Sequence, residues 1–247
     1  MKKILVIGNS FGEDATRYLY GVARAAGDEV KIAMLFIGGC SLYRHYRNML
    51  SEERAYAYQI NGMHSGLHVS LKEALLSDEW DFVVTQQCSP DSGSIETYYP
   101  YVTVLADYVR RLAPAAKLYL QMTWSFAEGC TRFGKTAFEN REQMIPAVRA
   151  AYKQAAEDIR ADGIIPSLEA MCKLYDVIGT ETYRDGFHCS LGVTRYMLAC
   201  LWYEVFFGKR VIENTYRDFD VEVSEDYVAL AKRFATEAAL EYGYELK

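Results

Sequence analysis

Residues 4–7 (ILVI) form an unbroken apolar run, headed by Lys2 and Lys3 and ended at once by Gly8-Asn9-Ser10. That pattern predicts a strand buried on both faces, as in the middle of a parallel sheet. Phe11-Gly12 turns the chain into Glu13 and Asp14, acidic residues suited to the first turn of a helix. Helical spacing then runs over 15–26, with Tyr18, Leu19, Val22 and Ala26 on one face, until Gly27-Asp28. Residues 29–37 read as a second strand ended by Gly38-Gly39. The polar, aromatic stretch 40–66 has no sustained period and reads as a short helix over 43–50 followed by an extended excursion.

A short helix over 70–76 and a buried strand over 80–85 come next. A turn-rich loop then leads to a helix over 102–112, and Pro114 separates it from a strand over 117–122. The loop 123–137 precedes a long helix over 139–161, a short strand over 163–166, and a helix over 167–177 capped by Ser167. After the loop around 183–190, helices over 191–207 and 224–242 close the chain. Alternation of this kind predicts an α/β fold, a three-layer α/β/α sandwich around a mostly parallel five-stranded sheet. No repeat or linker breaks the sequence, so residues 1–247 read as a single domain.

Composition narrows the function. A net charge of -6 with basic residues clustered only in pairs gives no basic face for nucleic acid. No run approaches the roughly 20 apolar residues needed to span a bilayer. The N-terminal apolar stretch is too short for a signal peptide, so the expectation is a cytoplasmic protein with no membrane partner. Six cysteines without a Cys-x-x-Cys pair read as free thiols.

Among four histidines, His188 stands out because it follows Asp185 at a three-residue interval in a Gly-containing loop. A carboxylate so placed can hold the imidazole Nδ1–H and leave Nε2 to accept a proton. Ser10 ends the first strand, and a serine hydroxyl needs such a base to become a nucleophile. In a doubly wound sheet the ends of successive strands share one edge, where ligands bind. Gly38-Gly39 offers backbone N–H groups there, and Gln86-Gln87 offers side-chain amides for a developing oxyanion. His64 and His68, with Gly66 between them, lack a zinc pattern. Cys40, Cys88 and Cys189, each beside a candidate residue, read as packing groups, so no metal or other cofactor is expected. Tyr98, Tyr99, Tyr101, Trp124 and Phe126 fall on loops at the site edge. Trp124, Tyr98 and Phe126 are the candidates for a substrate-stacking wall.

The four segments together resemble the blocks of the SGNH (GDSL-type) hydrolase superfamily, whose fold is flavodoxin-like. IGNSF resembles the first block, IGGCSL the second and DGFH the closing Asp-x-x-His block. The resemblance implies Ser10 as nucleophile, Asp185 and His188 as its partners, and an oxyanion hole of Ser10, Gly39 and a side-chain amide. The first block reads Gly-Asn-Ser in place of Gly-Asp-Ser. The third reads TQQCSPDSG in place of Gly-x-Asn-Asp, as in a bacterial branch of the superfamily. Alignment of that strand places Gln87 nearer its end, closer to the loop of the missing asparagine, with Gln86 as the alternative. The implied function is a serine esterase acting on small acyl esters, such as acetyl groups on carbohydrate. Two other readings are a nucleotide- or flavin-binding module that uses the Gly8-to-Gly12 turn, and an SGNH fold that only binds. The turn matches neither G-x-G-x-x-G nor the P-loop pattern.

Overall fold

A computed structural model describes residues 1–247. Strand β1 (Lys2–Gly8) lies inside the sheet and is buried from Ile4 onward. Val6 pairs in parallel with Met34 of β2 (Val30–Phe36) on one side. On the other it pairs with Val84 of the strand Phe82–Thr85. The five expected strands are present and parallel, but the sheet has seven strands. The two additional strands are β3 (Tyr56–Ile60) and β4 (Met63–Val69), an antiparallel hairpin on the edge of β2. Asn61 and Gly62 turn it, both at positive φ (52° and 79°), the geometry of a two-residue hairpin turn.

Beyond the hairpin, Phe82–Thr85 is β5, Lys117–Gln121 is β6 and Gly163–Ile165 is β7. The full order is β4-β3-β2-β1-β5-β6-β7. One helical layer holds α1 (Ser10–Thr16), α2 (Leu19–Ala25), α7 (Ser167–Ile178), α8 (Val193–Phe207) and α9 (Glu225–Glu241). The other holds α3 (Leu42–Ser51), α4 (Leu71–Leu76), α5 (Tyr101–Leu112) and α6 (Arg141–Asp158). Helix α8 packs against α1, α2, α7 and α9 and is buried almost all round. Its sequence, apolar on every face, predicts that position. No helix is long and apolar enough to cross a membrane.

Helix α8 also carries Glu204, which is fully buried. Its Oε1 accepts from the Val211 N–H at 3.0 Å and the Thr236 hydroxyl at 2.6 Å, while Oε2 has no partner. Burial pushes this carboxyl up from 4.5 to about 7. Below pH 4.5 the acid is protonated in folded and unfolded chains alike and costs nothing. As pH rises toward 7 the unfolded chain ionises first, so stability falls and then levels off. Glu204→Gln should therefore raise the thermal midpoint at pH 8 and leave it unchanged at pH 4. The difference is on the order of 3 kcal/mol. Equal effects at the two pH values in thermal melts would contradict an ionisable, buried Glu204.

Candidate active site

Asn9 supplies the hinge between β1 and Ser10. Its Oδ1 caps α1 by accepting the Phe11 N–H at 3.1 Å, which makes Ser10 the first residue of the helix. The same oxygen accepts the Gln86 amide at 2.7 Å, and Asn9 Nδ2 donates to the Cys40 carbonyl at 3.0 Å. An aspartate here would set a carboxylate oxygen against that carbonyl, so the amide suits a residue that must donate as well as accept. The helix thus begins five residues before the hydrophobic periodicity does, because a cap and not an apolar face starts it.

The Ser10 hydroxyl lies 2.8 Å from His188 Nε2, and His188 Nδ1 lies 2.7 Å from Asp185 Oδ2. With Nδ1–H donating to the carboxylate, Nε2 is the acceptor that faces Ser10. Asp185 Oδ1 accepts the backbone N–H groups of His188 (2.8 Å) and Phe187 (3.2 Å). Partial burial pushes the Asp185 carboxyl up. These hydrogen bonds, that of the His188 ring first, outweigh it and hold the group below its ordinary value.

The loop bearing both residues is tied down at several points. The Trp124 indole donates to the Phe187 carbonyl at 2.8 Å, and the Ala127 N–H donates to the Gly186 carbonyl at 2.7 Å. Gly186 has φ +84°, and a Cβ there would also meet Cys130 Sγ at 3.1 Å. The Cys189 N–H donates to Asp14 Oδ2 at 3.0 Å, so α1 anchors the histidine loop as well as the serine.

Ser10 and His188 open onto a cleft of about 510 Å³ lined also by Asn9, Gly38, Gly39, Cys88, Ser89, Pro90, Arg132, Lys135 and Phe187. Gly39 sits at φ +62° in the turn closed by the Cys40 N–H on the Ile37 carbonyl, and its own N–H bonds to no backbone carbonyl. The Ser10 N–H, at a helix start, likewise has no backbone partner. A second groove of about 540 Å³, at the β7 edge between Ala156 and Tyr244, contains no serine, cysteine or histidine.

Neither glutamine reaches the cleft. Gln87 Oε1 accepts the Leu42 and Cys88 N–H groups, both at 2.9 Å, and Nε2 donates to the Thr97 carbonyl and hydroxyl. Its amide is consumed in binding three loops together, which corrects the expectation of an oxyanion donor. Gln86, the alternative, is buried with its amide on Asn9. The strand-end segment that does line the cleft is Cys88-Ser89-Pro90. The Gly8-to-Gly12 turn makes no open cradle either: a Cβ at Gly12 would meet Met34 Cε at 3.1 Å and Gln86 Oε1 at 3.3 Å.

The aromatic wall is also corrected, because Trp124, Tyr98 and Phe126 are all buried and none lines the cleft. Trp124 stacks on Phe11 with centroids 4.0 Å apart, and the Tyr98 hydroxyl donates to the Ser92 carbonyl. Phe126 packs on Phe133 and Phe187. These side chains form the floor beneath the loops that carry Ser10 and His188. Sequence reasoning missed Arg132, Lys135 and Phe187. The signal for the first two was a pair of cations in 123–137 with no acid nearer than Glu128 and Glu139.

The thiols beside the site are buried. Burial pushes Cys40 up to about 12, and it pushes Cys88 and Cys189 up further. Cys88 Sγ donates to Asp91 Oδ2 at 3.2 Å. Burial pushes His45, bonded to the Tyr56 hydroxyl, down to about 3. His64 lies 3.1 Å from Glu13 on the surface hairpin. No three His, Cys, Asp or Glu side chains are grouped to hold a metal ion.

Among solved structures, a DUF4886 family protein from Bacteroides uniformis shares 31% identity with this chain, with a TM-score of 0.91. That match covers 100% of this chain and 97% of the other. A candidate SGNH hydrolase from Slackia heliotrinireducens is 24% identical at a TM-score of 0.56, covering 80% of this chain and 94% of its own. A family 3 carbohydrate esterase from Talaromyces cellulolyticus is 13% identical at 0.54, covering 81% and 93%. The last two share the fold, the three-layer arrangement of SGNH-type proteins. No curated protein matches the sequence. With the family model matched over residues 3–238 and a relative aligned along its whole length, the chain belongs to the DUF4886 family, a domain of unknown function.

Proposed function

We propose that the protein is a serine esterase of the SGNH type, with Ser10 as nucleophile, His188 as general base and Asp185 as the group that orients it. The observation that carries this reading is the unbroken relay from Ser10 Oγ through the His188 ring to Asp185, at 2.8 and 2.7 Å, opening on a cleft. Ser10 Oγ attacks the ester carbonyl carbon as its proton passes to His188 Nε2. The oxyanion accepts from the N–H groups of Ser10 and Gly39. The third donor, which Gln87 does not supply, is the hydroxyl of Ser89, which lines the same cleft. Collapse of the adduct breaks the bond to the alcohol oxygen, which takes the proton from Nε2. Water then attacks the acyl-serine, gives its proton to His188 and releases the acid as Ser10 regains its hydrogen. Esters on carbohydrate are the substrate class that the carbohydrate esterase sharing the fold suggests.

The test is hydrolysis of 4-nitrophenyl acetate beside labelling by a fluorophosphonate. The wild type should turn over the ester and gain one adduct on the peptide containing Ser10, and Ser10→Ala should lose both. Absence of turnover and adduct from the folded wild type would favour a protein that only binds. An adduct on another serine would sink the assignment.

A further inference from the structure

The protein carries a net charge of -6, yet no aspartate or glutamate lines the cleft beside Ser10, while Arg132 and Lys135 both do. Several arginines elsewhere are matched: Arg17, Arg54, Arg149, Arg184, Arg195 and Arg217 each pair with a carboxylate. Arg132 and Lys135 pair with none. They share one short turn of 3₁₀ helix, Thr131–Lys135, and therefore sit together on one wall. The Arg132 guanidinium lies over the Phe187 ring, its Cζ 3.6 Å from the centroid. Stacking of that kind holds the planar fork in place without using its N–H donors. Phe187 is in turn the neighbour of His188, with ring centroids 3.9 Å apart. The fork is thus presented at the reacting end of the cleft.

The acids closest along the chain to cleft residues are turned to internal partners. Asp185 is held by His188, and Asp91 accepts from the Cys88 thiol. The overall negative charge acts weakly here, since salt screens exposed charges beyond about 8 Å at physiological ionic strength. What an entering ester meets is local, and it is cationic.

We propose that the ester cleaved at Ser10 carries a carboxylate, and that Arg132 and Lys135 bind it. The inference rests on the esterase reading and names its substrate class. Arginine matches a carboxylate through two parallel N–H bonds, and lysine adds a mobile point charge. The carboxylate belongs to either the acyl or the alcohol part, and two ester pairs separate these sources. The acyl pair is mono-4-nitrophenyl glutarate and its methyl ester. The alcohol pair is 3-acetoxybenzoate and its methyl ester.

For each pair, the ratio of kcat/KM for the anionic over the neutral ester is measured in wild type, Lys135→Gln and Arg132→Gln/Lys135→Gln. Lys135 is exposed, so its single variant should fold even if loss of the Arg132 stack disturbs the loop. In at least one pair the ratio should fall about 10- to 100-fold in the double variant, the value of a charge-assisted contact, and part of the way in the single. The wild-type ratio should also decline as salt is raised. Ser10-dependent hydrolysis with the same ratio in all three proteins overturns the carboxylate assignment and leaves the esterase reading standing. If no ester is hydrolysed in a Ser10-dependent way, the esterase reading fails. Calorimetric binding of mono-4-nitrophenyl glutarate and 3-acetoxybenzoate to Ser10→Ala then decides the anion site. Binding of neither anion above its methyl ester overturns it; binding that disappears with the two charges retains it.

Discussion

Asp185→Asn should lower kcat about 10³- to 10⁴-fold with little change in KM and a thermal midpoint near that of the wild type. The carboxylate does two separable jobs. Oδ1 receives the His188 and Phe187 N–H groups and shapes the loop, while Oδ2 receives the imidazole Nδ1–H. Asparagine keeps an oxygen for the loop and turns an NH₂ toward the ring. Nδ1 must then become the acceptor, which leaves a hydrogen on Nε2, facing Ser10, and removes the base. The loss should be smaller than that of a fully sequestered triad acid, because the Asp185 side chain is 41% exposed and water competes for the ring. Initial rates on 4-nitrophenyl acetate over a range of substrate concentrations separate kcat from KM. A decrease below tenfold would show that Asp185 does not enforce the tautomer.

The largest expected loss of stability lies one turn further along α1. Asp14 is fully buried. It receives the Arg184 guanidinium at 2.9 and 3.0 Å, that of Arg195 at 2.9 and 2.8 Å, and the Cys189 N–H at 3.0 Å. Asp14→Ala leaves two guanidinium groups and an amide without their common acceptor. Breaking a buried charge pair costs about 3–5 kcal/mol. The lower end applies here, because Arg184 reaches solvent and Arg195 retains Asp220 at 2.9 Å. Chemical denaturation should therefore show a loss of about 3 kcal/mol, equivalent to about 6–12 °C in thermal midpoint for a chain of this size. Asp14→Asn keeps an acceptor for Cys189 and should recover part of that loss. Its kcat should still fall more than its KM rises, because the histidine loop then has a looser seat on the helix that carries Ser10. A denaturation midpoint unchanged in Asp14→Ala would refute the anchoring role.

Several features were legible in the sequence because they depend on neighbours along the chain. An unbroken apolar run has one good solution, a strand covered on both sides, and the alternation of such runs with helical periods specifies five parallel strands. Ser10 and Gly39 stand just past strand ends, so the same topology places them at one edge, whereas Asp185 and His188 lie beyond α7 and were singled out by their three-residue spacing. The cap at Asn9 and the Asn61-Gly62 hairpin turn were also written locally. The turn was masked by flanks that lack alternation, since β4 is exposed along nearly its whole length and has no buried face to mark.

Tertiary structure alone decided where loop side chains point. Beyond the end of a strand the two-residue period no longer holds, and contacts from distant segments take over. Gln87 turned inward because Leu42 and Thr97 needed an acceptor and a donor at the same place. Trp124, Tyr98 and Phe126 went beneath the site because large apolar rings on loops gain more from burial than from water. The wall they vacated went to Arg132, Lys135 and Phe187. Ser10 and His188 stand 178 residues apart in the chain, and 2.8 Å separates Ser10 Oγ from His188 Nε2 only because Asp14 and the Trp124 indole hold the last loop against the first helix.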